Sequence, residues 1–197
     1  MEFYESFMKF RFADDDVFCI QDDPLVIQST QIKACECVAY LHPKVALIEA
    51  KSSSPKEIVG SSFLNKIKHK FEDTLRVFNG IRNKEYGLEA YRRLPVNLRD
   101  ATIVPKDYRV CLIIHGHRLD WLNGLHDALQ VSMHDILKEW HIPDSNIKVY
   151  NEELALEDKL IVAFVPRDER DALRETQGPN GNMSKEKAKA WFEDHSI

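Results

Sequence analysis

The chain has 197 residues, 44% hydrophobic and 30% charged, with a formal net charge of −5. That length suits one sizeable core rather than two independent ones, and the balance is that of an ordinary globular protein. No apolar run approaches the ~18 residues that a membrane helix needs, and a net negative charge does not advertise a nucleic-acid binder.

The distribution of charge is more informative than its sum. Residues 1–55 hold 5 Lys/Arg against 9 Asp/Glu, a net of −4. Residues 56–109 hold 12 against 7, a net of +5, and residues 110–197 hold 10 against 16, a net of −6. A basic middle is set between two acidic ends. Met1 to Phe10 carries Glu2, Glu5 and Lys9, which a secretory leader would not, so a cytoplasmic protein with no membrane partner is expected. Cys19, Cys35, Cys37 and Cys111 form no C-x-x-C pair and are read as reduced, mostly buried residues. Cys35 and Cys37, two apart on one strand, are expected to share a face.

In chain order, Phe3, Phe7 and Phe10 fit a helix or a strand, and that segment stays open between the two. Asp14-Asp15-Asp16 and Asp22-Asp23-Pro24 read as turns or helix starts. Ala34–Leu41 and Val45–Lys51 are apolar runs separated by His42-Pro43-Lys44, a β-hairpin buried on both faces. A long helix is expected over 61–82, with Leu64, Ile67, Phe71, Leu75, Phe78 and Ile81 as its apolar stripe and Lys66 and Lys70 on another face. Residues 83–107 read as irregular, or as a short helix around 88–94. A buried strand over 108–115 and a helix over 121–140 follow, then strands at 147–150 and 159–165. A loop at 177–182 separates a single domain, 1–176, from a terminal helix capped by Ser184. Strands alternating with helices at this spacing indicate an α/β sheet.

The chemistry centres on the hairpin. Residues i and i+2 of a strand point the same way, so Glu49 and Lys51 share a face with Val45 and Leu47. If paired residue numbers in the hairpin sum to 85, Glu36 faces Glu49; at 87 it faces Lys51; at 86 it turns to the other side. Pro43 argues against a two-residue primed turn, which needs positive φ there, and the register stays open. In either odd register two carboxylates and an ammonium meet. A divalent cation relieves the like-charge conflict, and Mg²⁺ or Mn²⁺ held by Glu36, Glu49 and the Ala50 carbonyl fits such an oxygen set. The alternative is an exposed ion pair at a strand end. His115 and His117, with Asp120 close behind, read as a turn with partly buried imidazoles rather than as metal ligands.

The run Cys35-Glu36-Cys37-Val38-Ala39-Tyr40, followed by Val45-Ala46-Leu47-Ile48-Glu49-Ala50-Lys51-Ser52-Ser53, resembles the core of the PD-(D/E)XK nuclease superfamily. The resemblance covers about residues 15–115. It implies a restriction-endonuclease-like mixed sheet with an αβββαβ core. Glu36 would stand for the first-motif acid, and Glu49 and Lys51 for the E-x-K. It further implies Mg²⁺-dependent cleavage of phosphodiester bonds by Glu36, Glu49 and Lys51, with DNA ahead of RNA as the partner. Lys66, Lys70, Arg76, Arg82, Arg92 and Arg93 would then hold the nucleic-acid backbone. The family most often has Asp at the first position, where this chain has Glu36, and usually adds an acid from the first helix. Gln21, Asp22, Asp23, Glu2 and Glu5 are the positions for that role, with Asp22 and Asp23 taken as metal ligands. The rival is a protein-binding regulator that keeps the fold and lacks the chemistry.

Overall fold

The computed structural model describes residues 1–55, 62–175 and 185–195. Within them the chain is mixed α/β. Strands β1 (Glu2–Glu5), β2 (Met8–Arg11) and β3 (Val17–Phe18) are followed by a short helix α1 (Pro24–Ile27). The hairpin β4 (Cys37–Leu41) and β5 (Lys44–Lys51) leads to the long helix α2 (Ser62–Arg82), then α3 (Gly87–Arg93) and α4 (Val96–Asp100). Next come β6 (Tyr108–Ile114), α5 (Leu119–Glu139), β7 (Ile147–Tyr150), α6 (Glu152–Glu157), β8 (Ala163–Phe164), α7 (Arg167–Glu175) and α8 (Lys185–Asp194). No helix among the described residues is long and apolar enough to cross a membrane.

The main sheet has the order β3-β4-β5-β6-β7. Its first three strands run antiparallel, while β5, β6 and β7 run parallel. Parallel neighbours need a long crossover, and α2 and α5 supply the two. One face of β5 is Val45 and Leu47, packed with Val38 beneath Ile67, Phe71 and Leu75 of α2 and Leu125 and Leu129 of α5. The other face is Ala46, Ile48 and Ala50, packed with Cys37 and Ala39 against Met8 and Phe10. A strand covered on both sides has no use for polar alternation, which is why β5 reads as a continuous apolar run. The apolar stripe expected on the long helix is buried throughout.

The open N-terminal segment is a hairpin, with Phe3 paired to Phe10 and their rings stacked at 4.8 Å. Its turn residues Ser6 and Phe7 have φ of 52° and 66°, unusual for a bulky side chain. Burial of Phe7 beside Val165 and Phe192 offsets that cost. The β4–β5 loop is only His42 and Pro43, joined by a cis peptide, and Lys44 opens β5 rather than closing the turn.

Other expectations need correction. The first hairpin strand begins at Cys37, not Ala34. The Cys35 N–H leaves the ladder and donates to Thr74 Oγ1 at 2.8 Å. Cys35 therefore packs on the α2 side and Cys37 on the opposite side, so the two do not share a face. The strand expected over 159–165 is reduced to two residues. Leu160 and Ile161 are buried as irregular chain, because the Leu160 N–H closes the end of α6 on Ala155 O. The region 83–107 holds two α-helices and a 3-10 turn, Pro105–Asp107, where one helix at most was expected. The loop at 177–182 and the cap at Ser184 lie outside the described residues. Phe192 of α8 packs into the same cluster as Phe7.

Candidate active site

The hairpin register decides the site. Cys37 pairs with Ile48 and Val38 with Leu47, a sum of 85 in each case. Continued by one residue, this sets Glu36 opposite Glu49. Both carboxylates lie on the α2 face at the carboxyl end of β5, the edge of a parallel sheet where ligands commonly sit. Glu36 is 3% and Glu49 0% exposed, whereas the Lys51 side chain keeps 30% of its surface.

Two ammonium groups enter this carboxylate pair. Lys51 is ion-paired with Glu49 Oε1, lies 3.9 Å from Glu36 Oε1 and donates to the Ala50 carbonyl at 3.1 Å. Lys70, from α2, lies 2.8 Å from Glu49 Oε1, 3.0 Å from its Oε2 and 3.5 Å from Glu36 Oε1. Despite this crowding, Glu49 Oε1 receives no hydrogen bond of good geometry. Burial by itself would lower the pKa of Lys70. The carboxylates of Glu49 and then Glu36 overcome it and hold the ammonium above its ordinary value. The buried Cys35 thiol is pushed well up, by burial first and then by the Glu49 charge, so it supplies no thiolate nucleophile here.

Lys70 is the site residue that the helical reading placed elsewhere. The clue is its spacing: Ile67, Lys70, Phe71 and Thr74 follow the i, i+3, i+4, i+7 pattern of a buried stripe. Lys66, one turn earlier, is exposed, so the two lysines do not share an environment. The other basic residues are also spent within the chain. Arg76 pairs with Glu72 and Asp73, Arg82 donates to Ala101 O and Arg92 pairs with Glu89.

Arg93 takes the acid assigned to the metal. It grips Asp23 through Nε at 2.8 Å and Nη2 at 3.0 Å, and Asp23 also caps α1 by accepting from the Leu25 N–H. Asp22 and Asp23 line a different recess, of about 390 Å³, with Phe18, Pro24, Arg93 and Pro95. Glu2 is committed to Lys9 and Arg11 in the first hairpin. Among the described residues no helix precedes β3, so the place from which a first-helix acid would come is taken by strands β1 and β2.

His115 and His117 behave as turn residues. Gly116 makes the turn at φ +78°, a conformation natural to glycine, with the Arg170 guanidinium lying over it. His115 Nε2 meets Val165 O at 2.7 Å, and His117 Nδ1 meets Ser54 Oγ at 3.0 Å. Asp120 pairs with Arg118. Among the described residues no group of three His, Cys, Asp or Glu side chains could hold a metal.

Two carboxylates can still serve Mg²⁺, which binds through one or two of them and keeps several waters. The buried, hydrogen-bond-poor Glu49 Oε1 and the adjacent Ala50 carbonyl suit that oxygen chemistry. No family model, curated protein or solved structure matches the chain, so its function has to be argued from this geometry.

Proposed function

We propose that this chain is a metal-dependent nuclease of the PD-(D/E)XK type, acting on phosphodiester bonds, with DNA as the first substrate to test. The observation that carries the reading is the convergence of Glu36, Glu49 and Lys51 on one sheet face. It is supported by the element order, in which three antiparallel strands are followed by a helix and a parallel strand. Glu36, Glu49 and the Ala50 carbonyl would hold Mg²⁺ or Mn²⁺. The bound ion would lower the pKa of a coordinated water and stabilise charge on the phosphate. Lys51 is anchored between Glu49 and the Ala50 carbonyl, with part of its surface open. From there it neutralises the charge that develops on the scissile phosphate. With most arginines paired internally, exposed Lys66 is the strongest remaining backbone contact from the basic segment.

The rival keeps specific support. Two ammoniums already neutralise both carboxylates, and Asp23 is bound to Arg93. Both facts suit a non-catalytic interaction protein. Incubation with single- and double-stranded DNA and RNA, with Mg²⁺ or Mn²⁺, separates the two. Metal-dependent cleavage that disappears in Lys51→Ala supports the nuclease. No cleavage, with binding that ignores both salt and charge reversal at Lys66, supports a protein partner.

A further inference from the structure

We propose that Lys70 is a built-in substitute for the divalent cation, and that loading the metal exchanges one for the other. This rests on the nuclease reading above and adds to it how the site is gated. Both ammoniums reach the two carboxylates, but Lys70 is the closer bridge, since Lys51 stands 3.9 Å from Glu36 Oε1. The Lys70 ammonium lies within 3.0 Å of both Glu49 oxygens and 3.5 Å from Glu36 Oε1. A cation shared by Glu36 and Glu49 has to occupy that same place.

The two lysines differ in their freedom to leave. Lys51 stands on the same strand as Glu49, two residues on, and is tied to the Ala50 carbonyl. Lys70 comes from the helix across the site on a long unbranched arm, and its side chain keeps 23% of its surface exposed. That arm can swing toward solvent without moving the backbone, and its stem can stay packed while the charge goes to water.

Charge balance makes the exchange necessary. Two carboxylates and two ammoniums sum to zero. Adding a divalent cation with both lysines in place leaves two positive charges in a mostly buried site, which is costly. With Lys70 withdrawn the surplus is a single positive charge, which one phosphodiester neutralises. Without metal, Lys70 keeps the two carboxylates from repelling each other. With metal and substrate, its departure leaves a site whose charge closes. Metal affinity is weakened by the cost of displacing Lys70, so the site loads best when an anionic substrate arrives with the ion.

The test is Mn²⁺ binding, followed by the electron paramagnetic resonance of the free ion and by calorimetry, in wild type, Lys70→Met, Lys70→Gln and Glu49→Gln. The same titration on wild type monitors reductive methylation of Lys70, a readout that needs no substitution. The expected result is that Lys70→Met and Lys70→Gln tighten Mn²⁺ binding by about 10-fold or more. Glu49→Gln abolishes it, and Mn²⁺ raises the reactivity of the Lys70 amine. Unchanged or weaker binding in both Lys70 variants, with Lys70 reactivity indifferent to Mn²⁺, overturns the exchange while leaving the metal site standing. Mn²⁺ binding that is absent, or insensitive to Glu49→Gln, overturns both readings and leaves the four residues as a structural ion cluster.

Discussion

Glu49 and Glu152 are both buried carboxylates near the carboxyl ends of parallel strands, and they are satisfied in opposite ways. Glu152 accepts from the Gly116 N–H at 2.6 Å on one oxygen and from Arg167 Nε at 2.9 Å on the other. Burial pushes its pKa up, but the α6 backbone, Arg167 and Gly116 outweigh burial and hold it below the usual range. Each oxygen has an aligned donor, and Arg167 is the carboxylate's ion-pair partner. Glu49 instead shares a second carboxylate and two ammoniums, while its Oε1 lacks an aligned donor. Asp23, gripped by both nitrogens of the Arg93 fork, belongs with Glu152. A buried acid with one fitted partner is a structural device, since exchanging that partner gains nothing. A buried acid among flexible ammoniums is a place where a better cation can enter.

The sharpest way to break this contrast is Arg167→Met. It leaves Glu152 buried with only backbone donors, and should cost about 3 kcal/mol, the low end for an orphaned buried charge. Thermal melting reads this as a fall in Tm of roughly 6–12 °C, and added Mn²⁺ should recover no more than it gives wild type. A larger recovery by Mn²⁺ would mean that Glu152, too, belongs to an exchangeable site.

Lys51→Ala should act on chemistry rather than folding. On the proposed nuclease reading, loss of one positioned charge donor should lower the cleavage rate by about 10²–10³-fold, measured in single turnover, while Tm stays within about 3 °C of wild type. Arg93→Ala should do the reverse. Removing a fork from a buried carboxylate costs about 1.5–3 kcal/mol, and cleavage per folded molecule should not change. If Arg93→Ala instead strengthened Mn²⁺ binding, Asp23 would be a metal ligand held in reserve.

The smallest effect concerns His117. Burial lowers its pKa below the ordinary 6.5; the Trp121 backbone and then Glu152 pull it back up, Arg167 adds a smaller lowering, and burial prevails. The unfolded chain therefore binds the proton more readily. Stability contributed by the neutral ring is present above pH 6.5 and is lost as pH falls below it. Urea melts between pH 7.5 and 5 should show that loss in wild type and a flatter profile in His117→Gln. Equal slopes would remove His117 from the account.

Local information was enough for much of this. Apolar runs of strand length, stripes at helical spacing and the turn residues around Pro43 marked the hairpin, α2, β6, α5 and β7. Strand parity put Glu49 and Lys51 on one face, because the period of two is a property of the backbone alone. Parity failed two residues beyond the ladder. Cys35 crossed to the other face when its N–H found Thr74, a residue 39 positions away that no spacing rule connects to it.

What tertiary structure decided was which charges meet. The register that brought Glu36 to Glu49 depended on how two buried faces were shared between α2 and the β1–β2 hairpin. Lys70 could be placed on the site only once α2 lay across β5. Asp23 was a metal ligand only by what the family resemblance implied, and it is a cap with an arginine partner, because α3 delivered Arg93 to it. The sequence lists the ionisable groups and the faces they start from. Their pairing depends on distances of a few ångströms between segments far apart in the chain, and Coulomb energy in a desolvated site is set by those distances.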